Sequence, residues 1–149
     1  DARKARNSCG FGFYRIPAEA MYYWHYQCPN GDPWNDLDGN ARDWCAAYPG
    51  ENGELVPTID WEGLREGVDD MRYIATLKHY AALAAQTPEG GAAAEAAMQT
   101  LEEVLAGDPA ATQYDFRSGL SDDAFHGLRR RLAEAIIALL PYADNGATL

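Results

Sequence analysis

Carboxylates are the most abundant chemistry-bearing groups in this chain, with 23 Asp and Glu against 12 Lys and Arg. Two adjacent pairs stand out, Asp69-Asp70 and Asp122-Asp123. Two carboxyl groups cleave a glycosidic bond when both face it, one as acid and the other as base or nucleophile. Neighbours in a helix point about 100° apart and cannot converge on one bond. Both pairs fall in segments of helical pattern and are read as structural, with Asp122 and Asp123 complementing the positive end of a helix dipole. No catalytic residue is assigned within the chain.

The other reactive side chains form no constellation. His25, His79 and His126 are far apart in sequence, and His25 is expected to be a packed, hydrogen-bonded side chain rather than an acid or base. Serines are few, and none sits in the strand-turn-helix setting of a nucleophile elbow. Cys9, Cys28 and Cys45 are odd in number and match no metal-binding spacing, which leaves room for one disulfide and no framework. Oxygen donors are densest at Asp32, Asn35, Asp36, Asp38, Asn40 and Asp43. Calcium is the metal such a set would suit, but the spacing departs from an EF-hand, and Asx side chains capping turns account for the same residues without an ion. No metal site or cofactor is assigned, with calcium kept as the alternative.

The elements that would position these groups are mostly helical. Residues 2–9 suit a short helix, loosened afterwards by Gly10 and Gly12. The aromatic run 21–26 has high strand propensity and is the one convincing strand, closed by Cys28-Pro29-Asn30-Gly31. A lone strand leaves its backbone groups unpaired, and Leu55-Val56 is too short to partner it well, so its neighbours are expected in sequence outside this chain. Residues 32–54 read as a long ordered loop pinned by Trp34, Trp44 and Tyr48.

Thr58 or Asp60 caps a helix running to about Gln86, whose predicted buried stripe is Trp61, Leu64, Val68, Met71, Ile74, Leu77, Ala81 and Ala84. Gly63 and Gly67 stand one turn apart on it, each costing about 1 kcal/mol relative to alanine, so something must approach closely there. A second helix spans 92–106, with Met98, Leu101, Val104 and Leu105 as its apolar residues. A third begins after Ser121, buries Phe125, Leu128, Leu132, Ile136 and Leu139, and ends at Pro141. Residues 143–149 look frayed. Three such helices joined by short links make a small bundle, to which the segment before Asp60 does not belong by pattern.

At 149 residues and 47% hydrophobic content, the chain has enough apolar material for a packed core. Its net charge of -11 disfavours nucleic acid and anionic membrane surfaces as partners. The basic clusters Arg3, Lys4, Arg6 and Arg129, Arg130, Arg131 read as solvated helix faces. No run approaches the roughly 18 apolar residues that a membrane span needs, and no signal core follows the polar start, so any export signal is expected upstream of Asp1.

One stretch carries a resemblance: Tyr48-Pro49-Gly50-Glu51-Asn52-Gly53, Val56-Pro57-Thr58-Ile59, and Trp61-Glu62-Gly63-Leu64-Arg65-Glu66-Gly67-Val68-Asp69-Asp70 with Tyr73 after it. It resembles the C-terminal end of glycoside hydrolase family 123, the run from Arg65 to Asp70 followed by a tyrosine being its most specific part. Upstream, Gly10 to Tyr14, Tyr23-Trp24-His25-Tyr26 and Gly31-Asp32-Pro33-Trp34-Asn35-Asp36 look like the last helix and strand of that family's (β/α)8 barrel and the loop that leaves it. The resemblance spans roughly residues 10–80. Members are similar to β-N-acetylgalactosaminidases, in which the substrate's acetamido group is the nucleophile and an adjacent Asp-Glu pair orients it and supplies the acid. Neither Asp-Glu nor Glu-Asp occurs here.

The resemblance implies a mainly α chain made of two parts. Residues 1–57 would be the end of a (β/α)8 barrel, comprising one helix, one strand and a long aromatic loop. Residues 58–149 would be a long helix and a small helical bundle. Barrel active sites lie at the C-terminal ends of the strands, so Trp24 and Tyr26, with Trp34 and Asp36 from the loop, would line a carbohydrate site whose catalytic acids lie in the missing N-terminal barrel. For Trp24 the competing role is filling the barrel top. The competing class for the whole chain is a non-catalytic acidic helical module that docks a partner or a glycan.

Overall fold

The computed structural model describes residues 2–22, 25–35, 37–39, 44–107 and 119–143. It is mainly helical: α1 (Ala2–Cys9), α2 (Phe11–Tyr14), α3 (Ile59–Ala84), α4 (Gly91–Ala106) and α5 (Asp122–Ala143). Among the described residues between α2 and α3 lie four short strands, β1 (Gln27–Cys28), β2 (Trp44–Cys45), β3 (Ala47–Pro49) and β4 (Leu55–Pro57). They form two antiparallel pairs, β1 with β2 and β3 with β4.

Helix α3 is the spine. Thr58 is its N-cap, its side chain accepting from Trp61 N at 3.1 Å while donating to Ala46 O at 2.7 Å. One hydroxyl thus satisfies an orphan helix donor and ties the helix to the strands before it. Along α3 the buried residues are Gly63, Gly67, Asp70, Ile74, Leu77, Ala81 and Ala84. From Ile74 onward this is the predicted stripe. Before Ile74 it is not: Trp61 and Val68 are exposed, Leu64 and Met71 half-buried, and the buried line runs through the two glycines and an aspartate.

Helix α1 explains the difference. A Cβ at Gly63 would lie 2.3 Å from Ala2 O, and one at Gly67 would lie 2.3 Å from Arg6 O and 2.8 Å from Cys9 Cβ. The two helices meet backbone to backbone, so the expected close approach at these glycines is that of α1. Two bare Cα positions let the helices pack closer than side chains allow, which offsets their cost in helix propensity. The segment before Asp60 therefore shares the helical core. Asn7 Oδ1 accepts from Gly12 N at 3.0 Å, turning the chain into α2, and Phe11, 1% exposed, stacks on Phe125 of α5 at 6.3 Å between centroids.

Helices α4 and α5 close the far end of the spine. Leu77, Ala84, Val104, Phe125, Leu132 and Leu139 are each 0% exposed and lie in one cluster. Met98, predicted in the α4 stripe, is exposed, its place taken by Ala94 and Ala97. Ser121 caps α5, its hydroxyl accepting from Ala124 N at 3.2 Å, with Asp122 and Asp123 in the first turn. The helix does not stop at Pro141 but runs through it to Ala143. Proline's fixed φ is compatible with a helix, and in the last turn its missing N–H removes a single ladder bond.

The strand predicted at 21–26 is not formed by its described residues: Met21, Tyr22, His25 and Tyr26 are outside any strand, and the ladder begins at Gln27. High strand propensity reflects side chains packing on a pleated surface. Here Tyr22 is 85% exposed and has no such surface. Leu55 and Val56, expected to be too short to partner the 21–26 run, pair elsewhere, opposite Pro49 and Tyr48. The register is set by a tight turn in which Gly50 N bonds Glu54 O at 2.8 Å and Gly53 adopts φ +84°.

Candidate functional site

Two aromatic pairs lie in the strand-bearing segment and at the start of α3, with three of their four rings exposed and Tyr48 half-buried. Trp34, 60% exposed, stacks on Tyr48 of β3 with centroids 4.9 Å apart and planes 26° apart. Tyr26, 43% exposed, meets Trp61 edge-on at 5.8 Å. Both pairs are anchored on the same short stretch. Ala46 N donates to Tyr26 O at 2.8 Å, Ala46 O accepts from Thr58 N at 3.1 Å, and Tyr48 follows two residues later. One pair includes Tyr48 of the hairpin and the other Trp61 of the first turn of α3. Rings held by a partner ring while keeping a face open suit stacking on a flat, partly apolar ligand such as the C–H face of a sugar.

Of the predicted wall residues, Tyr26 and Trp34 belong to these two pairs, whereas Trp24 and Asp36 lie outside the described residues. Tyr48 and Trp61, which sequence reasoning placed as a loop pin and as core, are the ring partners. The signal for Trp61 was its place at the third position of a capped helix, where no preceding turn shields the outer face.

The loop before β2 is built from Asx turns. Asp32 Oδ1 accepts from Trp34 N at 2.9 Å, Asn35 Oδ1 from Leu37 N at 3.2 Å, and Asp38 Oδ2 from Asp32 N at 2.7 Å. These side chains replace the backbone hydrogen bonds that an irregular segment lacks, and they fix the indole of Trp34 beside Tyr48. Asp36, Asn40 and Asp43, the other oxygen donors of this loop, lie outside the described residues. Among the described residues no cluster of three or more His, Cys, Asp or Glu is placed to hold a metal.

A second polar assembly lies on the opposite side of α3. Asp70, 0% exposed, accepts from Arg6 through Nε at 2.7 Å and Nη2 at 2.9 Å, and from Arg129 Nε at 2.7 Å. Arg129 also holds Glu66 Oε2 and Glu66 O, both at 2.7 Å, and Arg65 Nη2 holds Glu66 Oε1 at 2.6 Å. The guanidinium of Arg6 covers Phe125 at 4.8 Å, and that of Arg129 lies 5.7 Å from the Tyr73 ring. Arg6 and Arg129, expected on solvated faces, are instead the two cations of a clasp that joins α1, α3 and α5. Arg131 does lie on an exposed face, bonded to Glu103 of α4. Both oxygens of Asp70 accept from arginine, Oδ2 from Arg6 and Oδ1 from Arg6 and Arg129, so Asp70 is the anion at the centre of this clasp.

Burial pushes the Glu66 carboxyl up, but the hydrogen bond and charge of Arg129, with Arg65 and Arg6 behind it, bring it net below the usual carboxylate value. A depressed carboxyl stabilises the fold above its unfolded pKa and loses that contribution as pH falls through its folded pKa. Unfolding stability is therefore expected to fall on acidification below the ordinary glutamate range, and Glu66→Gln to flatten that part of a stability-against-pH curve. An unchanged curve would mean that the pairing carries no net energy.

All three cysteines are free thiols. Cys9 is buried against α3, with its Sγ 3.9 Å from Met21 Sδ, and burial pushes its pKa up, so the reactive thiolate is disfavoured. No helix among the described residues is long and apolar enough to cross a membrane. No protein-family model, curated protein or solved structure matches this chain.

Proposed function

We propose that this chain is the non-catalytic, glycan-contacting C-terminal part of a carbohydrate-active enzyme resembling glycoside hydrolase family 123. It acts with an upstream (β/α)8 barrel that holds the catalytic acids, on glycans containing N-acetylhexosamine or related sugars. The observation that carries this reading is two aromatic contacts, Trp34 on Tyr48 and Tyr26 against Trp61, in which Trp34, Tyr26 and Trp61 are exposed. Leaving Trp34, Tyr26 and Trp61 exposed forgoes burial that a purely structural segment would use.

Titrating the chain with N-acetylhexosamine oligosaccharides, followed by calorimetry and tryptophan fluorescence, tests it. Binding is expected, and Trp34→Ala and Trp61→Ala should each weaken it by about tenfold, or about 1.4 kcal/mol. The chain alone should not hydrolyse chromogenic N-acetylhexosaminides. No binding of any oligosaccharide would sink the proposal.

A second reading, a free-standing interaction module, is favoured by the helical core, which brings α1, α3 and α5 together around a self-neutralising clasp. Cooperative unfolding as a monomer without binding of hydrophobic dyes supports the module, whereas dye binding and aggregation support a piece of a barrel.

A further inference from the structure

Asn-Gly occurs three times in this chain, at Asn30-Gly31, Asn52-Gly53 and Asn145-Gly146, the last outside the described residues. The dipeptide carries its own chemistry. Glycine's backbone nitrogen, unshielded by any Cβ, can reach the side-chain carbonyl carbon of the asparagine before it. Whether it does so depends on how freely the two residues move, and the two described copies differ in that respect.

Asn52-Gly53 forms the exposed tip of the β3–β4 hairpin. A Cβ at Gly53 would meet nothing within 4 Å. The Asn52 backbone N–H donates to Glu54 Oε2 at 2.9 Å, but among the described residues nothing holds its side-chain amide. Gly53 N donates to Gly50 O at 3.3 Å, a long bond that costs little to break. Asn30-Gly31 is exposed too, but braced. A Cβ at Gly31 would lie 2.6 Å from Asp38 Oδ1, and one at Gly39 would lie 2.6 Å from Asn30 Nδ2. Asp38 is itself fixed by accepting from Asp32 N at 2.7 Å. Ring closure at Asn30 must displace these neighbours.

We infer that Asn52-Gly53 is a site of spontaneous deamidation, with water as the only co-reactant, and that the fold leaves it open while protecting Asn30-Gly31. The Gly53 nitrogen loses its proton to solvent and attacks Asn52 Cγ. The new C–N bond closes a succinimide, the Cγ–Nδ2 bond breaks, and the amide nitrogen leaves as ammonia with a proton from water. Water then opens the ring at one of its two carbonyls. Opening at Cγ gives aspartate, whereas opening at the main-chain carbonyl gives isoaspartate, which reroutes the backbone through the side chain and lengthens it by one methylene. That methylene falls inside the turn closed by Gly50 N and Glu54 O at 2.8 Å, just beyond Tyr48, on which Trp34 stacks. Isoaspartate therefore disturbs the register that seats Tyr48 and loosens the ring pair.

Ageing the full chain in mildly alkaline buffer, folded and in denaturant, tests this. Trypsin cleavage after Arg15, Arg42 and Arg65 puts Asn30 and Asn52 in separate peptides, and mass spectrometry reads the exchange of NH2 for OH in each. In denaturant the two sites should react at similar rates. In the folded chain Asn52 is expected to react about tenfold faster than Asn30, the rate factor that roughly one hydrogen bond's worth of bracing supplies. Equal folded-state rates, or a lead for Asn30, overturn the inference, as does a folded chain that keeps its Asn52 amide while the denatured chain loses it. Near-ultraviolet circular dichroism of the aged chain should lose part of its tryptophan signal. Asn52→Asp, which adds the charge without the methylene, should keep that signal, and Trp34→Phe should lack it from the start. An isoaspartate-bearing chain with an unchanged spectrum would break the link to the ring pair.

Discussion

Asp70→Asn is expected to destabilise the protein by about 3 kcal/mol and lower its melting temperature by about 10 °C. The carboxylate is fully buried and is shared by two guanidiniums, from α1 and α5. Asparagine keeps the shape but not the charge, and presents an NH2 where one arginine donates. Arg6, with its side chain 6% exposed, is left with an uncompensated charge away from water. Asp69→Asn is the internal control. Its side chain is 28% exposed and pairs only with Arg65 and Arg72 on the same helix, so its loss should cost about 0.5 kcal/mol or less. Thermal and denaturant unfolding of the two variants checks this. Equal behaviour of the two would mean that the clasp is not a net source of stability.

Gly67→Ala should destabilise by about 2 kcal/mol, against an intrinsic gain of about 1 kcal/mol in helix propensity. The added methyl would meet Arg6 O at 2.3 Å, and a backbone carbonyl cannot rotate away. Helix α1 would have to lift off, taking Arg6 from Asp70 with it. Gly127→Ala in α5 meets nothing within 4 Å and should stabilise by about 0.5 to 1 kcal/mol. Opposite signs for the same substitution in two helices, read by denaturant unfolding, distinguish a packing seat from a mere weakness in propensity. A stabilising Gly67→Ala would overturn the account of how α1 docks.

The three long helices were legible because apolar residues at three- and four-residue spacing, with Thr58 and Ser121 before them, state both period and start. The spine's first half was misread because its stripe was sought among large apolar side chains. The burial of Gly63, Gly67 and Asp70 continues the spacing of Ile74, Leu77, Ala81 and Ala84, so an aspartate in that row was the sign of a buried ion pair. Its partners were not legible, since Arg6 and Arg129 lie 64 and 59 positions away and arginines are ordinarily at the surface. The aromatic run at 21–26 misled for another reason: propensity measures fit to a sheet surface, and its described residues Met21, Tyr22, His25 and Tyr26 lie outside any strand. Tyr26 and Trp34 were singled out by their type and lie in the two ring pairs, while their ring partners depend on a hairpin and a helix start that only the fold brings together.

The clasp also bears on the order in which the molecule assembles. Helices α3 and α4 are neighbours along the chain, joined by a short turn, and can pair as soon as each forms. Helix α1 must instead find its seat across the intervening stretch that carries all four strands, and its docking closes a loop whose entropy cost grows with length. It is therefore expected to join after the α3–α4 pair, so amide protons on α1 should exchange sooner than those at the centre of α3. A protease cut in that stretch need not release α1, because the glycine seat and the Arg6–Asp70 bond hold it without the peptide connection. The nicked chain would behave as two complementary fragments.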